Sequence, residues 1–155
     1  ESFPVGSATV TAASVAHCGP TNGYRIDAEG ASVVYIPDHQ EPVERQSDGS
    51  VEVPASVIEL CRNADVLIHD SQYDEAEFAA HLTWGHSTYR YAAEVARQSG
   101  VAKLTLFHHD PTHDDAWIAD VVIDAQAVAG PDVEVVAAVE GLVVNVGSVV
   151  PVSSA

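Results

Sequence analysis

The sequence predicts an α/β layer fold in which strands lead into helices. Three observations support this fold class. Residues 1–36 contain short runs of small and β-branched residues bounded by Gly, Pro and Asn. After Pro54, short apolar runs alternate with segments of helical spacing. Polar residues follow directly after several of the predicted strands, which is where folds of this class gather their chemistry.

The first elements are predicted to be the strands of a meander. Short β-rich runs between turn residues are typical of that arrangement. The predicted strands cover residues 7–16, 24–27 and 32–36, and Pro37 ends the third. The next segment, 41–53, is polar and is predicted to be a loop.

The second part of the chain is predicted to alternate helices and strands. Pro54 suits the first turn of a helix, Ser87 is a candidate N-cap, and Gly100 and Gly130 are typical helix ends. The predicted elements are helix 55–62, a buried parallel strand 65–69, one or two helical turns in 73–80, helix 88–99, strand 101–107, a helix from Asp114 and Asp115 to Gly130, and strands 133–139 and 142–146.

Composition limits the classes of protein and partner. The 155 residues suit one domain, and 46% hydrophobic with 19% charged residues indicates a globular chain. The net charge of −17 and only six Lys and Arg argue against nucleic acid as a partner. No apolar run reaches the ~18 residues that a membrane span needs. Cys18 and Cys61 form no CxxC pair, so we expect a reducing, cytoplasmic compartment.

Five polar residues lie near the ends of predicted strands or just before a helix. They are His17, Asp38, Asp70, His86 and His108. Imidazole nitrogen and carboxylate oxygen are ligands that suit zinc, iron or manganese. Taken singly, each residue is more often a cap, a turn carboxylate or a solvated side chain, so spacing alone leaves a metal site and these simpler roles both open.

The sequence around these residues resembles a known family of hydrolases. The segments ADVLIHDSQY (64–73), WGHST (84–88) and QSGVAKLTLFHHDPTHDD (98–115) resemble the C-terminal half of metallo-β-lactamase-fold hydrolases. The resemblance is strongest to the branch with ribonuclease Z and the cyclic-phosphate phosphodiesterases. Upstream, GYRI (23–26) after His17 and YIPDH (35–39) fall in the order of that branch. The implied fold is the C-terminal half of an αββα sandwich, with residues 1–155 as a single, partial domain.

The resemblance implies a role for each of the five residues. His17 corresponds to the third histidine ligand of a first metal, Asp38 to the carboxylate that bridges two metals, and His108 to the last histidine of the second metal. Asp70 and His86 correspond to the catalytic pair beside the metals. The implied cofactors are two divalent ions, with zinc expected and manganese or iron as alternatives.

These roles imply hydrolysis of a phosphodiester. Two metal ions ~3.5–4 Å apart can activate water for in-line attack on phosphorus. His86, oriented by Asp70, could then give a proton to the leaving oxygen. We therefore expect a phosphodiesterase that acts on a small or cyclic phosphate ester.

Part of the family pattern is missing from this sequence. The family's HxHxDH motif, which supplies most remaining ligands, has no counterpart, and no HxH occurs in the chain. Because the sequence also contains no Met, we expect a C-terminal piece completed by an N-terminal half of the same fold, as a separate or cleaved chain. The other interpretation is a natural half-domain that pairs with itself or another protein and has lost catalysis.

Two other functions remain open at this point, and hydrolysis of lactones or thioesters, which the resembled fold also supports, is a further alternative. Ribonuclease Z-like processing of tRNA would need a basic surface, which the composition hardly supplies. A non-catalytic binding or assembly module would need no metal. Metal content and salt-sensitive RNA binding would distinguish these possibilities.

Overall fold

A seven-stranded mixed sheet organises the chain, and its strands lie side by side in the order of the sequence. The structure is a computed structural model, and it describes residues 1–47 and 50–146. The elements are β1 (Ser2–Val5), β2 (Ala8–Val15), β3 (Thr21–Ala28), β4 (Ala31–Ile36), α1 (Ala55–Cys61), β5 (Val66–Asp70), α2 (Glu75–Ala80), α3 (Tyr89–Ser99), β6 (Lys103–Phe107), α4 (Asp115–Ala129) and β7 (Glu134–Ala137).

The sheet changes from antiparallel to parallel pairing at β4. Strands β1 to β4 form an antiparallel meander, and β4 to β7 pair in parallel with helices in the connections. Parallel neighbours need crossover connections, which helices usually provide. Because β4, β5 and β6 run in the same direction, the segments that follow them leave the sheet at one edge. This edge carries the candidate site.

The core lies between one face of the sheet and the helices α1, α3 and α4. Val34, Leu67 and Leu104 are fully buried there, one from each of three neighbouring strands. Helix α3 contributes Ala92, Val95 and Ala96 to the same core. The small alanines allow this helix to approach the sheet closely. The layer of helices thus holds the parallel strands, and with them the site edge, in place.

The other face of the sheet is apolar and only partly covered. Strand pairing aligns Phe3, Val10, Ile26 and Val33 in one row, and Tyr24, Tyr35, Ile68, Thr105 and Val136 in the next; we call the eight residues other than Thr105 the open face. Six are half-buried, while Phe3 and Tyr24 are 41% and 37% exposed. Extended apolar surface of this kind marks an interaction site in soluble proteins.

Most predicted elements are present, with three corrections. Strand β1 was missed because it has four residues and contains Pro4, which is tolerated at a sheet edge. The N-cap of α3 is Thr88, not Ser87: the Thr88 hydroxyl accepts the Tyr91 N–H, while the Ser87 hydroxyl donates to the His39 carbonyl.

The predicted strand 142–146 is wrong. The residues alternate suitably, but they pair with no strand in the described ranges and are largely exposed. Alternation alone does not form a strand without a neighbouring strand to pair with.

No helix within residues 1–47 and 50–146 has the length and apolar character needed to cross a membrane.

Candidate metal and catalytic site

His17 follows β2 and is held by the segment before α3. Its Nδ1 lies 2.7 Å from the Gly85 carbonyl oxygen. Since a carbonyl can only accept, Nδ1 donates, and Nε2 is the accepting nitrogen of the neutral ring, with the Cys18 Sγ 3.3 Å from it. Such an outer partner orients a histidine for metal binding. Gly85 packs so closely that a Cβ built on it would lie 2.3 Å from the His17 ring.

Asp38 and His108 meet across the end of β5. Asp38 follows β4 and His108 follows β6, and the His108 Nε2 lies 3.3 Å from the Asp38 Oδ1. Both side chains are more than a third exposed. His108 has a φ of +62°, a left-handed conformation that turns the chain sharply away from the strand. Such local strain is tolerated where surrounding structure enforces it, and it clusters at functional sites.

Asp70 and His86 form a hydrogen-bonded pair beside them. The His86 Nδ1 lies 2.8 Å from the Asp70 Oδ2, and Asp70 is completely buried. The bond to Asp70 raises the pKa of His86 above its usual 6.5, against the opposing effect of burial, and the charge of Asp38 adds to the increase. The Nδ1 proton is directed at Asp70, so Nε2 remains available for a proton transfer or for a metal.

A buried network holds the Asp70 carboxylate in this orientation. Its Oδ2 also accepts the backbone N–H of His39 at 3.0 Å, and its Oδ1 accepts that of Gln72 at 3.2 Å. The rings of His39 and His69 are both fully buried and lie 3.0 Å apart between Nδ1 and Nε2. Burial lowers the pKa of His39 to about 3, so this ring is neutral and supports the site through packing and hydrogen bonds.

Two residues that sequence reasoning missed connect the segments carrying Asp38 and His86. The Gln40 Oε1 accepts the Gly85 N–H at 2.9 Å. The buried Glu41 carboxylate accepts the backbone N–H and the hydroxyl of Thr88, both at 2.7 Å, and pairs with Arg45. Both residues lie at the start of a polar stretch that reads as a surface loop. Only their tertiary contacts reveal their function.

The structure brings the five candidate residues into one region. The ring centres of His17 and His86 are 5.5 Å apart, and those of His86 and His108 are 4.8 Å apart. One ligand atom from each of Asp38, His86 and His108 lies within 4.8 Å of the other two. This imidazole and carboxylate set fits a divalent metal. Since zinc usually takes three or four protein ligands, these three residues could provide the protein ligands of one ion.

Three other histidines of the region have different surroundings. The His113 Nε2–H donates to the Glu77 carboxylate at 2.7 Å and the ring stacks on Trp117, so His113 supports local packing. His109 is half-buried, and neither ring nitrogen has a hydrogen-bond partner among the described residues. His81 bonds through Nδ1 to the Glu77 carbonyl and stacks on Tyr73.

The sequence matches a known protein family over the region that carries the candidate site. Residues 1–109 match the model of the beta-lactamase superfamily domain, which is most of the chain and includes all five candidate residues. The chain belongs to this superfamily. The chain is similar in sequence to ribonucleases Z and in fold to solved metallo-β-lactamase fold proteins.

Curated relatives include ribonuclease Z from several organisms. The chain is 38% identical over 103 residues to ribonuclease Z of Thermoplasma acidophilum, covering 63% of this chain and 30% of that protein. It is 35% identical over 114 residues to ribonuclease Z of a Synechococcus strain, covering 72% and 30%. The chain therefore spans less than a third of the length of these two relatives.

Solved structures share the fold. A metallo-β-lactamase fold protein of Bacillus subtilis, YhfI, aligns with a TM-score of 0.67 at 20% identity, over 88% of this chain and 49% of that one. Human tRNase Z, short form, aligns with a TM-score of 0.58 at 27% identity, over 70% and 38%. A diphosphatase of the PhnP family aligns with a TM-score of 0.58 at 17% identity, over 88% and 43%. The seven-stranded sheet is thus a metallo-β-lactamase-type layer.

Proposed function

We propose that this chain carries one part of the two-metal centre of a phosphodiesterase that acts on small or cyclic phosphate esters. The observation that carries the proposal is the 2.8 Å bond between Asp70 and His86, directly beside Asp38 and His108. A histidine that is hydrogen-bonded to a buried carboxylate and lies next to possible metal ligands is suited to act as the proton donor of a hydrolase. The proposed roles are His17, Asp38 and His108 as metal ligands, and His86 with Asp70 as the acid.

Each proposed role has a physical basis. Bound divalent ions, with zinc proposed, supply Lewis-acid polarisation of the phosphoryl group and activation of water. Asp70 holds the His86 ring and favours its protonated form, as the direction of the pKa shift of His86 indicates. A positioned acid of this kind contributes about 10²–10⁴-fold to rate. It matters most when the leaving group is a poor one, such as an alkoxide.

We propose that an N-terminal half of the same fold, as a separate or cleaved chain, completes this chain. Two observations support this partner. The donors at the site are too few for two metals, and the open face presents apolar side chains from six of the seven strands. A second apolar sheet packed on this face would bury them and complete a sandwich. A second copy of this chain on the same face is the alternative occupant.

The charges favour a small substrate over tRNA. Each of the six Lys and Arg side chains pairs with a carboxylate of the chain itself, through Arg25–Asp27, Arg45–Glu41, Arg62–Glu59, Arg90–Glu75 and Arg90–Asp124, Arg97–Glu94 and Lys103–Glu134. Binding of a nucleic-acid backbone needs Lys and Arg side chains that are available to neutralise its phosphates and displace their counterions. The sequence similarity to ribonuclease Z keeps RNA processing as a second candidate, with salt-sensitive binding of tRNA in a gel shift as its test.

A test of the enzyme combines metal analysis with hydrolysis of bis(p-nitrophenyl) phosphate by the assembled protein. His86→Ala is expected to keep its metals and to lose more activity on an alkyl phosphodiester than on the p-nitrophenyl ester, whose leaving group needs little protonation. If His86→Ala instead loses a metal, His86 is a ligand, which the closeness of its ring to Asp38 and His108 also allows. Full activity on both esters would contradict the acid role.

Assembly and location can be tested separately. Light scattering of the purified chain, with and without a co-expressed N-terminal half, distinguishes that partner from a homo-oligomer, and Tyr35→Asp on the open face is expected to weaken either complex. An assembled protein that holds no metal would favour the non-catalytic assembly module. The free thiols of Cys18 and Cys61 agree with a reducing compartment, so we propose the cytoplasm.

A further inference from the structure

Trp84 is a large aromatic side chain held in an exposed position beside the site. It lies between α2 and His86, and 60% of it is exposed. Its backbone is fixed on both sides: the Trp84 N–H donates to the His81 carbonyl at 2.9 Å, and Gly85 bonds to both Gln40 and His17. Since exposing an indole forgoes the large gain from its burial, a fixed and exposed Trp two residues before His86 is a candidate for contact with a ligand.

The indole continues a row of rings that begins at His86. The Trp84 ring meets the edge of His81 at 4.4 Å between centres, and His81 stacks on Tyr73 at 5.0 Å with 13° between the planes. Tyr73 in turn meets His86 edge-on at 6.1 Å. We call Tyr73, His81 and Trp84 the aromatic shelf. Tyr73, the ring that meets His86, is buried, so the accessible part of the shelf is His81 and Trp84 at its outer end.

We propose that the aromatic shelf, with Trp84 at its exposed end, binds a planar aromatic group of the phosphodiester on the leaving-group side. This inference rests on the proposed function, because the group that receives the His86 proton must lie on the His86 side of phosphorus. Trp84 is the exposed ring of the row that leads to His86 through His81 and the buried Tyr73. Stacking between rings needs no cation, which suits a chain whose Lys and Arg are all paired.

The exposure of Trp84 is separate from that of the open face. Trp84 lies on the connection between α2 and α3, at the edge of the sheet where the site is, and not on a strand. A second sheet packed on the open face would cover Phe3 and Tyr24, which belong to strands. The alternative, that the completing half covers Trp84 as well, is an outcome of the test below.

The test compares two inhibitors of equal charge and similar size in the complete, zinc-loaded protein. Benzyl phosphate and cyclohexylmethyl phosphate compete against bis(p-nitrophenyl) phosphate, and the ratio of their inhibition constants is measured. We expect the wild type to prefer the aromatic inhibitor by about three- to tenfold. Trp84→Ala is expected to abolish the preference and Trp84→Phe to keep part of it. Leu82→Ala, an exposed residue of the same connection, is the matched control and should keep it fully.

A second measurement reads binding without catalysis. The chain has two tryptophans, so a Trp117→Phe background leaves Trp84 as its sole indole. Benzyl phosphate is expected to quench Trp84 fluorescence more than cyclohexylmethyl phosphate does. Protection of Trp84 from acrylamide in the assembled protein without any phosphate would place it in the assembly interface and overturn the inference.

The two hypotheses fail in distinguishable ways. If phosphodiesters are hydrolysed but Trp84→Ala leaves the inhibitor ratio unchanged, the aromatic subsite is wrong and the phosphodiesterase stands. If no phosphodiester is hydrolysed but benzyl phosphate selectively quenches Trp84, Trp84 binds aromatic groups, but the phosphodiesterase and the leaving-group role of the shelf are both wrong. If neither hydrolysis nor selective quenching is observed, both are overturned.

Discussion

Replacing Gly85 with alanine is expected to displace the proposed metal ligand His17. Gly85 has a φ of +99°, where an L side chain is strained. Its new Cβ would also lie 2.3 Å from Nδ1 and 2.4 Å from Cε1 of His17, so the imidazole must move. Backbone strain and loss of the His17–Gly85 hydrogen bond together are expected to lower the free energy of unfolding by about 2–4 kcal/mol.

The effect on metal binding separates this displacement from general destabilisation. Loss of a partner that orients a histidine ligand typically weakens metal affinity by about 10–100-fold. Gly30→Ala is the matched control: Gly30 has a φ of +80°, but nothing lies within 4 Å of its added Cβ. It should show backbone strain alone, with unchanged zinc affinity.

The measurements are urea denaturation of each variant and zinc competition against a chelator in the complete protein. For both variants, the free energy of unfolding in water is obtained by linear extrapolation from the urea data. Equal stability losses in the two variants, together with wild-type zinc affinity in Gly85→Ala, would refute the reasoning that Gly85 holds His17 in its binding orientation.

Three further outcomes are expected. Asp70→Asn removes the charge that raises the pKa of His86, so in the metal-free protein the ring should lose its proton at lower pH than in the wild type; an unshifted NMR titration would contradict this. Glu41→Ala leaves the N–H and hydroxyl of Thr88, the N-cap of α3, without their buried acceptor and should cost about 2–4 kcal/mol in urea denaturation; a loss below 1 kcal/mol would count against it. Leu104→Ala in the core should cost about 2–5 kcal/mol, whereas Ile123→Ala, 70% exposed, should stay within about 0.5 kcal/mol; similar values for both would contradict the core assignment.

Much of the fold could be predicted from local sequence. Gly100 and Gly130 mark the ends of α3 and α4 as expected, because glycine readily adopts the positive φ found at both positions. The strand before Asp70 was recognisable as a short apolar run. By contrast, residues 142–146 carry a strand-like pattern without forming a strand, since pairing depends on a partner edge that the pattern cannot reveal.

The candidate site was predictable only where a family resemblance supplied its context. His17, Asp38 and His108 are separated by up to 91 positions in the sequence, and their convergence depends on the sheet. The roles of Gln40 and Glu41 could not be predicted, because nothing in the sequence distinguishes the buried carboxylate of Glu41 from the exposed one of Glu44 three residues later. Their roles follow from tertiary hydrogen bonds.

The order of strands in the sheet has a consequence for how the chain folds. Each strand pairs with the strand that was synthesised just before it, from β1 through β7. No strand has to be inserted between two that are already paired, so the sheet can grow at one edge as the polypeptide leaves the ribosome. Pairing of sequence neighbours keeps contact order low for a sheet with parallel strands, which favours fast folding and shortens the time for which each new edge is open to aggregation.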